Sequence, residues 1–312
     1  MLLNVSAAPH ALRDNAAETV RGILVVAVAY MFMTAGDVAA KWALSAGVAA
    51  IMIGRGVSGS VTIALLARAE GDTHRLVPVR WRLVAVRSIL HASVSITWYL
   101  SWQVVPLADV YAVGFAAPLI MTLLAVPMLG ERIRWRRMLS TLLGFGGVLV
   151  MVQPGSALWH PILFVLLPGI AGTAISRIMT RQLSTTETAE CLTFWLMVAH
   201  IPAGLAMLAF GFPGPGSLAS SPTWDVGTAL GLVGLLNATA HWLMARAYAL
   251  APVSALAPYE YTTLLWGGLA GWAVFHEVPD WRTLAGAGIV AAAGLYNLHR
   301  ERVARRAAHV PV

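Results

Sequence analysis

Residues 129–135 read LGERIRW and residues 275–281 read FHEVPDW, and each of these polar stretches interrupts a long apolar run. A shift of 146 residues, the separation of the two stretches, superposes them together with a further proline. The superposed pairs are Pro106 with Pro252, Glu131 with Glu277, and Trp135 with Trp281. Three landmarks at one offset predict that the chain contains two copies of one structural unit.

The composition indicates an all-α polytopic membrane protein. Of the 312 residues, 58% are hydrophobic and 11% are charged, with a mean hydropathy of +0.73, whereas soluble domains carry about 25% charged residues. Apolar runs of roughly 20 residues recur, the length that crosses a bilayer as a helix, and the alternation of a barrel strand is missing. The ten predicted spans are 22–41, 46–67, 84–104, 107–129, 137–153, 158–180, 188–210, 226–249, 253–275 and 283–299.

The positive charges orient these spans, because Lys and Arg are retained in cytoplasmic loops. Nearly all arginines fall on one side if both termini are cytoplasmic. They are Arg68, Arg75, Arg80, Arg82 and Arg87 after span 2; Arg132, Arg134, Arg136 and Arg137 after span 4; Arg177 and Arg181 at the end of span 6; Arg246 in span 8; and Arg300, Arg302, Arg305 and Arg306 in the tail. Lys41 and Arg282 fall on the other side, together with the loop 211–225, which has neither Lys nor Arg. We therefore expect an inner-membrane protein with both termini inside.

Five spans in each copy place the two copies in opposite orientations. The predicted units are residues 21–153 and 154–300, preceded by a cytoplasmic segment 1–20 and followed by a basic tail 301–312. Stretch 129–135 is then cytoplasmic and rich in arginine, while stretch 275–281 is external and acidic. Inverted repeats are frequent in secondary transporters, which bind substrate near the midplane between the repeats.

A family resemblance rests on these same stretches. PLADVYAVGFAAPLIMTLLAVPMLGERIRW (106–135) followed by LSTLLGFGGVLVM (139–151) resembles the EamA-type repeat of the drug/metabolite transporter superfamily. APVSALAPYEYTTLLWGGLAGWAVFHEVPDWRTLAGAGIV (251–290) is similar to the same repeat, with His276 where the family usually has glycine. Arg55 in IMIGRGVSGS matches an arginine often found in the second helix. The resemblance implies a non-enzymatic transporter, most similar to amino-acid exporters including the aromatic type, with nucleosides or cationic drugs as the alternative substrates.

Polar and aromatic residues inside the predicted spans are the candidate substrate site. A charged side chain at the bilayer centre costs roughly 2.5–3.5 kcal/mol on insertion scales, so such residues face the protein interior or a cavity. The candidates for lining a substrate cavity are Asp37, Arg55, His91, Ser95, Trp98, Tyr99, Trp102, Trp195, Asn237, His241, Tyr248, Tyr259 and Glu260.

Three charged candidates each have more than one reading. Asp37 shares a helical face with Tyr30 and either contacts substrate or pairs with Lys41 four residues on. Arg55 binds a substrate carboxylate, a carboxylate of a neighbouring helix, or helix-end carbonyls. Glu260 neutralises Arg55, binds a substrate ammonium, couples transport to protons, or lies in water near the cytoplasmic end.

Helices three and eight present matching polar faces. His91, Ser95, Trp98 and Trp102 share one face of span 3, with Tyr99 adjacent, and the 146-residue shift superposes them on Asn237, His241, Met244 and Tyr248. Such faces are buried against protein or water, although Trp102 and Tyr248 also suit an interfacial aromatic belt. Aromatic rings beside a cation and a carboxylate suit an amphipathic, zwitterionic substrate.

Other classes of function fit the sequence less well. The lone Cys191 allows no intramolecular disulfide, and the scattered histidines form no metal motif, so we expect no metal, no cofactor and no membrane-embedded enzyme. The net charge of +7 lies in short loops and does not indicate nucleic-acid binding. The expected partners are a small-molecule substrate and the lipid bilayer. The sequence leaves open a passive channel, coupling to protons, and whether the small residues of spans 5 and 10 form a dimer or an intramolecular contact.

Overall fold

The computed structural model describes residues 16–71, 73–104, 110, 114, 117–130, 135–152, 162–211 and 224–275, together with 281 and seven residues between 285 and 296. All regular elements in this part of the chain are helical. The helices are α1 (Ala16–Trp42), α2 (Val48–Ala69), α3 (Trp81–Val104), α4 (Ala117–Leu129), α5 (Trp135–Val152), α6 (Leu163–Leu183), α7 (Ala189–Ala209), α8 (Trp224–Leu250), α9 (Val253–Leu256) and α10 (Thr262–Phe275). Short 3₁₀ segments follow α1 (Ala43–Ala46), precede α3 (Thr73–Leu76) and join α9 to α10 (Ala257–Tyr261).

Among the described residues, five helical stretches are long and apolar enough to cross a membrane. They are Ala17–Ala46, Val48–Ala69, Trp81–Gln103, Ala189–Ala209 and Asp225–Leu250, and shorter apolar helices occupy Ile120–Leu129 and Met138–Gly147. These match the predicted spans 1, 2, 3, 7 and 8, and parts of spans 4 and 5. Residues 131–134, 276–280 and most of span 10 lie outside the described residues. The count of ten spans and the cytoplasmic termini therefore stay predictions.

The main contacts between helices occur in matching pairs. Replacing each helix by the corresponding helix of the other predicted unit converts one contact of a pair into the other. Helix α1 packs along α8, and α3 packs along α6; α2 packs on α8, and α3 packs on α7. Helix α2 also packs along α7, a contact that the exchange leaves unchanged. This pairing is what two similar units related by a twofold axis produce. The boundaries of the units and their opposite orientation remain predictions.

Glycines bring α2 into backbone contact with its neighbours on both sides. A Cβ added at Gly56 would lie 2.6 Å from Ile201 Cγ1 and 3.0 Å from the Met197 carbonyl oxygen of α7. A Cβ added at Gly54 would lie 3.1 Å from Leu230 Cβ of α8. Small residues permit such close approach between membrane helices. Arg55, between these two glycines, is therefore held where α2, α7 and α8 meet.

The small residues of the fifth helix make intramolecular contacts. A Cβ at Gly147 would lie 2.9 Å from the Gly286 carbonyl oxygen, and the Ser140 hydroxyl donates to the Ala293 carbonyl at 2.9 Å. The Tyr261 hydroxyl donates to the Thr141 carbonyl at 3.2 Å. These residues therefore make contacts within the chain, and whether the fifth and tenth helices also contact a second copy stays a prediction.

The connection between α2 and α3 is fixed to the turn between α6 and α7. The buried Glu187 carboxylate accepts from the backbone N–H groups of Val79, at 3.0 Å, and Arg80, at 2.6 Å. These groups precede α3, where N–H donors have no partner within the helix. Trp195 Nε1 donates to the Leu76 carbonyl at 2.9 Å. Side chains of one predicted unit thus cap a helix of the other.

We expect Gly56→Ala to lower the apparent unfolding temperature in detergent. The added methyl group overpacks the α2–α7 contact, which costs about 1–3 kcal/mol and outweighs the roughly 1 kcal/mol gained in helix propensity. The matched control is Gly231→Ala in α8, where no atom lies within 4 Å of the added Cβ. Equal unfolding temperatures for the two variants would contradict the close packing around Arg55.

Candidate functional site

A cavity lies between helices of both predicted units. The empty space in it is about 710 Å³, including the part that is open to solvent. Its lining consists of Tyr30, Met33 and Asp37 of α1; Arg55 of α2; His91, Val94, Ser95, Trp98, Tyr99 and Trp102 of α3; Gly114; Thr173 and Arg177 of α6; Asn237 and His241 of α8; and Glu260 and Thr263. Apart from His91, the lining residues of α1 and α3 come from the C-terminal halves of those helices.

Arg55 is a buried cation whose partners are neutral. Only 5% of the Arg55 surface is exposed. Its Nη1 donates to the Tyr99 hydroxyl at 2.9 Å and to Ser95 Oγ at 3.4 Å, and its Nη2 lies 3.0 Å from His241 Nε2. Its Nε has no hydrogen-bond partner within the described part of the chain. Among the residues described by the structure, no carboxylate forms an ion pair with Arg55.

Three histidines surround this guanidinium. Because arginine only donates hydrogen bonds, His241 Nε2 accepts from it, and the His241 ring is neutral in this arrangement. The His91 ring lies edge-on to His241, at 4.7 Å between centroids, and 5.8 Å from His200. The fully buried His200 contacts the Leu196 carbonyl through Nδ1 at 2.8 Å and Ser95 Oγ through Nε2 at 3.0 Å. Sequence reasoning did not select His200, since one histidine in an apolar helix carries no signal of its partners.

Indole and phenol rings form one wall of the cavity. The Trp102 ring lies 5.2 Å from Tyr99 and 6.4 Å from Trp98, both in edge-to-face geometry. Trp98 Nε1 donates to Thr173 Oγ1 of α6 at 3.4 Å. The wall therefore joins the rings of α3 to the Thr173 side chain of α6, and the faces of its rings are apolar.

A buried ion pair also lines the cavity. Arg177 of α6 binds the Glu260 carboxylate, and both residues are 8% exposed. The Arg177 guanidinium carbon also lies 5.6 Å from the centre of the Tyr30 ring. Glu260 lies in the 3₁₀ segment between α9 and α10, after Pro258. Of the readings proposed for Glu260, neutralisation of Arg55 is wrong, because its partner is Arg177.

Ten of the thirteen predicted residues line this cavity, and that they bind substrate stays a prediction. Trp195, Tyr248 and Tyr259 lie outside it. Trp195 is 37% exposed and bound to the α2–α3 connection, so its indole points away from the bundle centre. Tyr248 and Tyr259 are buried in an apolar cluster that includes Met121. The Tyr248 hydroxyl donates a hydrogen bond to Met121 Sδ at 3.7 Å.

Seven lining residues were missing from the sequence-based selection. They are Tyr30, Met33, Val94, Gly114, Thr173, Arg177 and Thr263. Arg177 is the most important omission, because its position near the end of span 6 was read only as a topology signal. Tyr30 shares a helical face with Asp37, a signal that could have identified it.

Glu260→Gln is expected to destabilise the protein more than the double variant Arg177→Met/Glu260→Gln. Removing one partner leaves an uncompensated buried charge, which costs about 3–5 kcal/mol, whereas replacing a buried pair with apolar or neutral groups is often nearly neutral. Apparent unfolding temperatures of the two single variants and the double variant in one detergent measure this. Additive losses in the double variant would show that the pair does not act as a unit.

Comparison with known proteins gives one matching family. The profile described as the EamA-like transporter family matches residues 20–153 and 159–297, which confirms the resemblance found in the sequence. An S-adenosylmethionine uptake transporter of Rickettsia prowazekii (strain Madrid E) is 26% identical over 68% of this chain and 70% of its own length. A riboflavin transporter of Rhizobium johnstonii is 32% identical over 71% of each chain. A pseudopaline exporter of Pseudomonas aeruginosa is 26% identical over 87% of this chain and 93% of its own length.

The fold is also similar to a solved structure. One crystal structure superposes with a TM-score of 0.73 at 14% identity and covers 93% of this chain and 99% of the other. At this identity the likeness shows the fold alone.

Proposed function

The chain belongs to the EamA-like transporter family, hence is a multi-pass membrane transporter, and we propose that it moves small amphipathic metabolites, amino acids with aromatic side chains among them, by alternating access. The two predicted units rock around the cavity, exposing it to each side in turn. Net export across the inner membrane, expected from the sequence, is part of this proposal. The relatives named above include an uptake transporter and an exporter, so their names do not decide the direction.

The observation that carries the proposal is the mixed chemistry of the cavity. Its lining combines the aromatic rings of Trp98, Tyr99 and Trp102 with the guanidinium of Arg55, which contacts the Tyr99 hydroxyl and His241. An aromatic amino acid combines the same two kinds of group, an apolar ring and a charged head. Ring contacts of this kind contribute about 0.5–1.5 kcal/mol beyond the area they bury.

The end of the bundle beyond the Arg177–Glu260 pair is packed. The apolar cluster there contains Met121, Ile178, Tyr248, Leu256 and Tyr259, each at most 5% exposed. Alternating access requires this packing to open, and the 3₁₀ segment Ala257–Tyr261 is a break in the helix at that level. Such breaks often mark hinges. Whether protons or the substrate gradient drive the cycle, and whether the protein acts as monomer or dimer, are left open.

A cationic drug fits this cavity less well than a zwitterion. The buried guanidinium of Arg55 has no carboxylate partner among the described residues, so it repels a cation placed beside it. No lining contact favours a nucleoside over an amino acid.

Counterflow in proteoliposomes tests the proposal. We expect saturable exchange of labelled phenylalanine or tryptophan, measured beside threonine, methionine, S-adenosylmethionine, riboflavin, a nucleoside and a cationic drug. Trp98→Ala should raise the half-saturation concentration for aromatic amino acids roughly tenfold, because it removes one face of the ring site.

Trp195→Ala is the matched control, since it deletes an indole outside the cavity. It should leave half-saturation unchanged. If riboflavin or a nucleoside is exchanged and amino acids are not, the substrate belongs to another chemical class. Exchange without saturation or competition would indicate a channel, and an equal effect of the two tryptophan variants would reject the proposed ring site.

A further inference from the structure

We propose that the free edge of the Arg55 guanidinium is a carboxylate-binding subsite, so that ligands of this cavity carry a carboxylate. The proposal rests on the proposed function for its place in a transport cycle, and on the geometry of Arg55 for its chemistry. It assigns the charged end of the substrate, which the aromatic wall does not specify.

A count of donors identifies the free edge. A guanidinium has five N–H groups, and Arg55 uses three in contacts with Tyr99, Ser95 and His241. Among the described residues the Nε–H group has no partner, and its nitrogen is buried from solvent, so a ligand reaches it only when the side chains beside it move. Nη2 has a second N–H besides the one directed to His241. Nε and Nη2 are the two nitrogens of the side edge of a guanidinium, and their parallel N–H groups match the two oxygens of a carboxylate.

The electrostatics favour an anion at this position. Burial of a charge is costly unless an opposite charge or several hydrogen bonds compensate it. The three partners of Arg55 are a hydroxyl, a phenol and a neutral imidazole, which supply hydrogen bonds but no negative charge. Glu260 is committed to Arg177. Asp37 lines the same cavity, but no ion pair joins it to Arg55 among the described residues.

The guanidinium is held in a fixed orientation before a ligand enters. Gly54 and Gly56 fix the α2 backbone against α8 and α7, and Tyr99 and His241 hold the two terminal nitrogens from opposite predicted units. Ser95 is in turn held by His200. A preorganised donor pair loses little entropy on binding, which strengthens the bond to a ligand.

The subsite separates the ligands named for the relatives by their chemistry. S-adenosylmethionine carries an α-carboxylate, whereas riboflavin carries none. The proposed subsite therefore predicts that the protein binds molecules with a carboxylate and rejects molecules without one.

The test uses binding, so that it does not depend on transport. Purified protein in uncharged detergent is heated with 3-phenylpropanoate or with 3-phenylpropanamide, which has the same ring and chain but no charge. We expect the carboxylate to raise the unfolding temperature, and the amide to require a concentration higher by about 30-fold or more, the usual loss when a buried charge pair lacks one partner.

Arg55→Lys keeps the positive charge but removes the paired N–H groups, so it should reduce the preference for the carboxylate. Arg246→Lys is the matched control, because Arg246 lies outside the cavity over the Trp242 ring. Equal effects of acid and amide on the wild-type protein, or no effect of either, would overturn the subsite whether or not Arg55→Lys folds. A preference for the acid without amino-acid counterflow would retain the subsite and reject amino acids as the transported substrates.

Discussion

A guanidinium buried in the middle of a helical bundle is the constraint to which the rest of this structure responds. A charge at bilayer depth is unfavourable unless it is compensated. Arg55 is stabilised by hydrogen bonds that it donates to residues of α3 and α8, rather than by a carboxylate. Those bonds require α2 to lie close to its neighbours, and glycines on both sides of Arg55 allow this. The polar faces of α3 and α8 exist because a cation must be solvated between them.

The two buried arginines of the cavity have different roles because their partners differ. Arg177 is neutralised by Glu260 and packs over Tyr30. The Arg55 residue lines the same cavity, but its guanidinium has only neutral partners among the described residues. A structural ion pair and a proposed binding group thus lie in one site, and the presence or absence of a carboxylate partner distinguishes them.

Sequence periodicity predicted the helices and much of the cavity. The face of α3 from His91 to Trp102 was predictable because each residue lies three or four positions from the next, and a polar face in a membrane must point inward. The partner of Glu260 was not predictable from the sequence, because Arg177 lies on a helix that is distant in the chain. Its charge was also explained by the cytoplasmic position expected for the end of span 6. Trp195 and Tyr248 were misplaced for another reason. The rotation of a helix about its axis depends on packing, which residue type alone does not specify.

The most direct measurement of the central claim is an experimental structure of the protein with a bound aromatic carboxylate. The account predicts both carboxylate oxygens about 2.7–3.0 Å from the Nε and Nη2 atoms of Arg55, with the ring of the ligand against Trp98 and Trp102. A ligand whose carboxylate points away from Arg55, or lies at Arg177 after displacing Glu260, would contradict it.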